Sequence, residues 1–221
     1  MTQVAEKKSA SLIHFTRLEK QLNVNPSPVW LEKLRSDAMA RFERVGFPAQ
    51  KSEAWRHTNI SPIVKTQWAL ADAGTMSGAA ELVEKFTFGS EAVAELVFVN
   101  GHYHAELSNL GKLPRGARVM SLAEAVMQEG DWVQKNLGRY ASVEANPFVA
   151  LNTGLIADGA YVHLPAGVTI DQPIHLLLIS TGAEKPAASH PRVLVTAEEN
   201  VRATIVESYV GSEGQTYFTN E

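Results

Sequence analysis

The stretch DGAYVHLPAGVTIDQPIHLLLIS, residues 158–180, decides how this chain folds. Asp158-Gly159 is a turn signal, and Ala160–Leu164 after it is rich in strand formers. Pro165 and Gly167 interrupt, Val168–Ile170 resumes, Pro173 interrupts again, and a β run follows over Ile174–Ser180, whose Ile174–Ile179 is the longest apolar run of the chain, broken only by His175. No helical period separates these runs. Reading onward, Arg192–Ala197 and Arg202–Tyr209 are two more short β runs, punctuated by Pro186, Pro191 and Gly211. Strands without intervening helices argue against a βαβ sheet and for a sandwich, a barrel or a β-solenoid. The spacing is too irregular to choose among the three. Residues 215–221 are still strand-like, with no terminal cap, so the β region is expected to continue.

Reading backward, the chain turns helical. Leu12, Phe15, Leu18 and Leu22 fall near helical spacing. Ser27 is placed to cap a second helix with Pro28 at its first position, where a missing N–H costs nothing. Leu31, Leu34, Ala38, Phe42 and Val45 continue one apolar stripe until Gly46 and Pro48 stop it. Ala94–Val99, then Asn100-Gly101, then His102–Leu107 is a hairpin signal, because both central residues of its turn need positive φ. Ser121 and Glu124 form a capping box opening a short helix. Helical segments are also expected over Trp132–Tyr140 and after the Asn146-Pro147 cap. The fold class is α+β, with a mostly helical domain over 1–150 and a β region over 151–221, the boundary falling near 142–158.

Composition excludes several classes of function. The chain has 221 residues, 45% hydrophobic and 20% charged, with 24 acids against 20 bases and a net charge of −4. A nucleic-acid binder would carry a basic excess or stripe. The densest basic run, Lys33, Arg35, Arg41, Arg44, Lys51 and Arg56, is interleaved with Glu32, Asp37, Glu43 and Glu53, and reads as a solvated helix face. There is no cysteine. That excludes disulfides, thiolate metal sites and a cysteine nucleophile. No stretch approaches the roughly 18 apolar residues that span a membrane, and the polar start lacks a secretory h-region. The expected location is the cytoplasm.

The candidate chemistry is sparse. His102 and His104 sit two apart on an expected strand and share a face, but a zinc site wants three or four ligands. The favoured reading is a solvent-facing hairpin. His163, His175 and His190 lie in the β part near Asp158 and Asp171, without an assignable nucleophile or orienting partner. Glu53, Trp55, Arg56, His57 and Thr58 form a polar-aromatic cluster, read first as an internal clamp after the long helix and second as a binding patch. Glu198 and Glu199 are adjacent, so on a strand they point to opposite faces and make no acid/base dyad. Phosphate-binding glycine motifs, Gly-x-Ser-x-Gly and His-Glu-x-x-His are absent. No catalytic, cofactor-binding or metal-ligating residue is assigned.

Taken together, Gly46-Phe-Pro48 followed by Lys51-Ser-Glu-Ala-Trp-Arg-His-Thr-Asn59 resembles the N-terminal signature of the SufB/SufD family, on its SufD side. Leu96-Val-Phe-Val-Asn-Gly-His-Tyr103 looks like the family's hairpin. Phe148-Val-Ala-Leu-Asn152, Asp158-Gly159 and Val162-His-Leu-Pro165-Ala-Gly167 resemble the entry into its β region. His190-Pro-Arg-Val-Leu-Val195, Val206-Glu-Ser-Tyr-Val-Gly211 and Tyr217-Phe-Thr-Asn220 continue the likeness, which runs from about residue 28 to the end.

The resemblance implies the start of a right-handed parallel β-helix. It also implies a non-catalytic scaffold role in iron–sulfur cluster assembly beside SufB and the SufC ATPase, with a transient cluster in the full complex and none held by this chain. Family members are about twice as long, and their cluster-assembly residues lie in the other half. The alternative is a carbohydrate-binding or carbohydrate-active β-solenoid, which would need an acidic or aromatic groove on the β face. Self-association through the C-terminal β strands is a further expectation.

Overall fold

The computed structural model describes residues 14, 15, 17–20, 22, 27–49, 52–74, 76–182 and 185–221. The expected first helix begins at Leu12, outside the described residues. Its Phe15 and Leu18 are helical and buried. Helix α1 (Val29–Val45) buries Leu31, Ala38, Met39 and Phe42, as its stripe demands. It ends at Gly46, whose φ of 65° suits glycine. Two expectations here are corrected. Pro28 occupies the cap position itself, and Ser27 caps nothing. The Ser27 hydroxyl instead accepts from Arg35 Nη1 at 2.9 Å, while Arg35 Nε donates to the Ile156 carbonyl at 2.8 Å. Arg35 is thus buried on the inner face rather than solvated, because Ile156 offers a carbonyl that only a long donor can reach.

After α1 come α2 (Ser61–Lys65), β1 (Ala69–Leu70) and α3 (Ala79–Phe86), then the central strand β2 (Ala94–Val99), buried at every position. Asn100 and Gly101 turn it at φ of 55° and 85°, the paired positive angles of the expected hairpin. The return strand is shorter than expected. It holds only β3 (His102–Tyr103), because the Ser108 hydroxyl accepts from the Val97 amide at 2.9 Å and donates to the His104 carbonyl at 2.7 Å. That pair replaces the ladder with a single helical turn. Pairing resumes at β4 (Asn109–Leu110), opposite the start of β2.

The chain continues through β5 (Arg118–Ser121), α4 (Leu122–Gln128), α5 (Gly130–Asn136) and α6 (Pro147–Gly154). Ser121 Oγ accepts from the Glu124 amide and Asn146 Oδ1 from the Phe148 amide, so both expected caps are made. Then follow β6 (Ala160–Leu164), β7 (Ile174–Ser180), β8 (Ala187–Ser189), β9 (Leu194–Ala197), β10 (Ile205–Gly211) and β11 (Tyr217–Thr219). Val168–Ile170 is reduced to one bridge, Thr169 to Arg202.

Three sheets result. β6 pairs in parallel with β9, β7 with β10 and β8 with β11. Tyr161 faces Leu194, Ile174 faces Ile205 and Ala187 faces Tyr217, so each partner lies 33, 31 and 30 residues on. On their other sides, β6, β7 and β8 pair with β5, β2 and β1. Every sheet therefore crosses residue 150. Gly159 enters β6 where a Cβ would collide with the carbonyl of Arg192, so only glycine fits.

The core lies between the sheets, where Leu96, Phe98, Val162, Leu164, Ile174, Leu176 and Leu178 meet. The other face of β2 and β7 carries Val97, Val99, Leu177 and Ile179 and is covered by α3. Burial on both faces explains the unbroken run Leu-Leu-Leu-Ile in β7.

Candidate functional site

Three buried polar clusters and one open edge are the places where this fold could act. The first cluster joins α6 to the β corners. Asn152 is fully buried; its Nδ2 donates to the carbonyls of Pro191 and Asn220 at 2.6 Å each, and its Oδ1 accepts from Arg192 Nε at 2.6 Å. Arg192 Nη2 reaches Thr153 Oγ1 at 2.8 Å. Asn220 Nδ2 bonds the Phe148 carbonyl at 3.1 Å and lies 3.3 Å from His190 Nδ1. His190 is buried among Phe15 and Phe218, its Nε2 has no hydrogen-bond partner among the described residues, and burial pushes its pKa down to about 3. It is a neutral structural histidine at pH 7.

The second cluster is Asp158. Its carboxylate accepts from the amides of Tyr103, Ala123 and Gly159 at 3.0, 3.0 and 2.8 Å, pinning the hairpin and α4 to the start of β6. Burial nevertheless holds Asp158 above the ordinary carboxylate range, against those amides and nearby His102. His102 and Asp158 line a cleft of about 510 Å³ together with Arg35 and Asp72. Burial lowers the His102 pKa, with Asp158 opposing it. The expectation that His102 and His104 face solvent is corrected: both are half-buried, because the return strand lies against β2. His104 turns to Glu106, at 3.8 Å, and does not join His102 in a ligand set. Among the described residues no group of three or more His, Asp or Glu is placed to hold a metal ion.

The third cluster joins residues that the sequence reading did not connect. His175 is wholly buried on β7; its Nδ1 lies 2.7 Å from Glu95 Oε2 and its Nε2 2.9 Å from Ser208 Oγ. Phe88 stacks on the ring at 4.0 Å. Glu95 also accepts from Thr87 Oγ1 at 2.6 Å and the Phe88 amide at 2.9 Å. Burial alone pushes Glu95 up, but these donors outweigh it and hold the carboxyl below its ordinary value.

Of the remaining candidates, His163 and Glu198 approach each other, Nε2 to Oε1 at 3.8 Å. His163 Nδ1 meets Thr196 Oγ1 at 3.0 Å, beside Trp132. Asp171 joins none of these clusters, and Glu198 and Glu199 are exposed. Trp132 and Tyr140 line a shallow groove with Glu198, just past the end of β9, but the acids expected for sugar hydrolysis do not converge there. In the segment 53–58, Trp55 is half-buried against Phe148 at 5.0 Å, while Glu53, Arg56, His57 and Thr58 are exposed. The clamp reading is corrected to one aromatic contact among the described residues. The polar residues bond one another, Arg56 to Glu53 at 3.5 Å and to His57 at 3.2 Å, rather than the body of the fold.

The open edge is the last feature. β9, β10 and β11 each end their sheet, with no further strand beyond them among the described residues. Val195 on β9 and Tyr209 on β10 are exposed there. Edges of this kind are templates for another strand. Among the described residues no helix is long and apolar enough to cross a membrane.

Comparison with known proteins places this architecture. The family model for the SufBD protein N-terminal region matches residues 6–176. The iron-sulfur cluster assembly SufBD family protein slr0076 of Synechocystis sp. is 28% identical over 206 residues, covering 89% of this chain and 45% of that protein. Protein ABCI7, chloroplastic, of Arabidopsis thaliana is 24% identical, covering 92% and 43%. The iron-sulfur cluster assembly protein SufD of Bacillus subtilis is 23% identical, covering 84% and 42%. The chain spans less than half the length of these relatives. It belongs to the SufB/SufD family, whose N-terminal region it carries.

Proposed function

We propose that this chain is the N-terminal part of a SufD-type scaffold subunit, acting in the cytoplasm on iron–sulfur cluster assembly beside a SufB-type partner and the SufC-type ATPase. It catalyses no step and holds no cluster of its own. The observation that carries the reading is the parallel register of β6 on β9, β7 on β10 and β8 on β11, at steps of 33, 31 and 30 residues. Three strands repeated once per turn, each lying on its counterpart, support reading them as the first coils of a β-helix. The general hand of parallel crossovers makes it right-handed. Such a solenoid adds coils or partner strands at its open edge. The Bacillus subtilis relative, named SufD, supports the SufD side of the family.

The test is genetic and biochemical. Removing the reading frame should lower the activity of iron–sulfur enzymes, and a plasmid copy should restore it. The affinity-purified product should carry SufB-type and SufC-type subunits. Normal iron–sulfur enzyme activity in the deletion strain, with neither subunit co-purifying, would overturn the reading.

A further inference from the structure

Glu95, His175 and Ser208 stand in line on one face of the central sheet, on the adjacent strands β2, β7 and β10. The register sets them there. Glu95 and Val206 both face His175, and Ser208 follows Val206 by two residues on the same side. The Glu95 carboxylate, held by Thr87 and the Phe88 amide, can only accept, so His175 Nδ1 carries the proton. In the neutral ring that leaves a lone pair on Nε2, and the Ser208 hydroxyl at 2.9 Å donates to it. The Phe88 ring, stacked within 16° of parallel, fixes the imidazole plane. A hydroxyl on a base, with the base oriented by a carboxylate, is the arrangement that activates serine, and it is recognised by geometry rather than by sequence position.

Two further features make Ser208 the reacting end. His175 and Glu95 are 0% and 4% exposed, whereas Ser208 is only half-buried. β10 is also an edge strand. Ile174 donates to the Thr204 carbonyl and Ser212 to the Ser180 carbonyl, so the even-numbered residues of β10 point their amides at β7. The amides of Glu207 and Tyr209 therefore point away from the sheet. Among the described residues no strand bonds these amides, so in this chain by itself the donor next to Ser208 can meet a developing oxyanion.

We propose that Ser208 is a site of covalent acylation by small activated esters, with His175 as its base and Glu95 as the positioning residue. Ser208 Oγ attacks the acyl carbonyl, and the Oγ–C bond forms as the bond from that carbon to the leaving oxygen breaks. The hydroxyl proton passes to His175 Nε2 and on to the leaving alkoxide, so the ring ends neutral. Half-buried Val206 and Val210 flank Ser208 on the same face and favour an apolar acyl chain.

The test uses p-nitrophenyl acetate on the 221-residue protein, with peptide mass spectrometry to place the acetyl group. Ser208 should acetylate at least about 100-fold faster than the exposed Ser52, Ser77 and Ser90 of the same chain, the usual gain from a positioned base. Ser208→Ala should abolish the fast release of p-nitrophenolate. Acetylation of Ser208 at the rate of those exposed serines, or fast release that survives Ser208→Ala, would overturn the proposal. The comparison within one chain needs no variant to fold.

Discussion

Arg192 donates Nε to Asn152 Oδ1 at 2.6 Å across 40 residues of sequence, and this contact ties the end of α6 to the turn that enters β9. Burial lowers the Arg192 pKa, so its remaining partners matter. Asn152→Ala would strand that guanidinium beside Thr153 and leave the Pro191 and Asn220 carbonyls without their donor. The expected cost is about 3 kcal/mol, read as a lower urea midpoint at unchanged slope. Arg192→Met added to Asn152→Ala should cost less than the two single changes summed, because the pair acts as a unit. Additive losses would show that the two side chains are independent.

Trp55 packs on Phe148 at 5.0 Å but is only half-buried. Trp55→Ala should therefore cost about 1 kcal/mol, the worth of one aromatic pair, and not the 3–5 kcal/mol or so of a fully buried tryptophan. Thermal unfolding of parent and variant measures it. A loss near the larger figure would mean that the segment is clamped more tightly than its exposed Glu53, Arg56 and His57 indicate.

His190 makes stability depend on pH. Its folded pKa, about 3, lies below the ordinary value of 6.5, so between those limits the unfolded chain binds a proton that the folded one does not. Its contribution is fully present above pH 6.5 and is lost as pH falls towards 3, at up to about 1.4 kcal/mol per pH unit. His102, also lowered, adds in the same direction. Denaturant midpoints of the parent and His190→Leu across pH 7 to 4 isolate the His190 part. The parent should lose stability more steeply, and parallel curves would contradict this.

The absence of any thiol bears on the cluster itself. Iron–sulfur clusters are held mostly by cysteine thiolates. Anaerobic reconstitution of this chain should give no visible cluster band after desalting. A stoichiometric band that survives would mean that histidine and carboxylate ligands suffice, and the proposed scaffold role would have to include cluster binding.

What the sequence made legible was local. Asn100-Gly101 sets its own φ angles, Gly46 ends α1 by itself, and Pro165 and Pro173 bound β6 and β7 at the residues expected. β8 was missed, because Ala187-Ala-Ser189 has little strand propensity and owes its conformation to β1 and β11 on either side. The relay through His175 was missed because 80 residues separate it from Glu95. One signal was present: a lone histidine in an otherwise apolar strand must find a partner once buried. Arg35 had a signal too, lying four residues from both Leu31 and Met39, on the buried stripe of α1.

The edge of β10 gives the last prediction. Its odd-numbered residues hold amides and carbonyls that bond neither β7 nor any other strand among the described residues, and β9 and β11 border the same opening. The proposed solenoid would receive either a further coil or a second copy there. The chain by itself should therefore associate with concentration, which light scattering would follow. Glu207→Pro is the informative variant, since the lost N–H points outward and no β7 bond is removed. It should weaken association while leaving the melting temperature nearly unchanged, because an edge position accepts proline. A parent that stays monomeric at high concentration would show that this edge is not self-complementary. Association that is indifferent to Glu207→Pro would move the contact elsewhere, with the exposed Val195 side of β9 the next surface to charge.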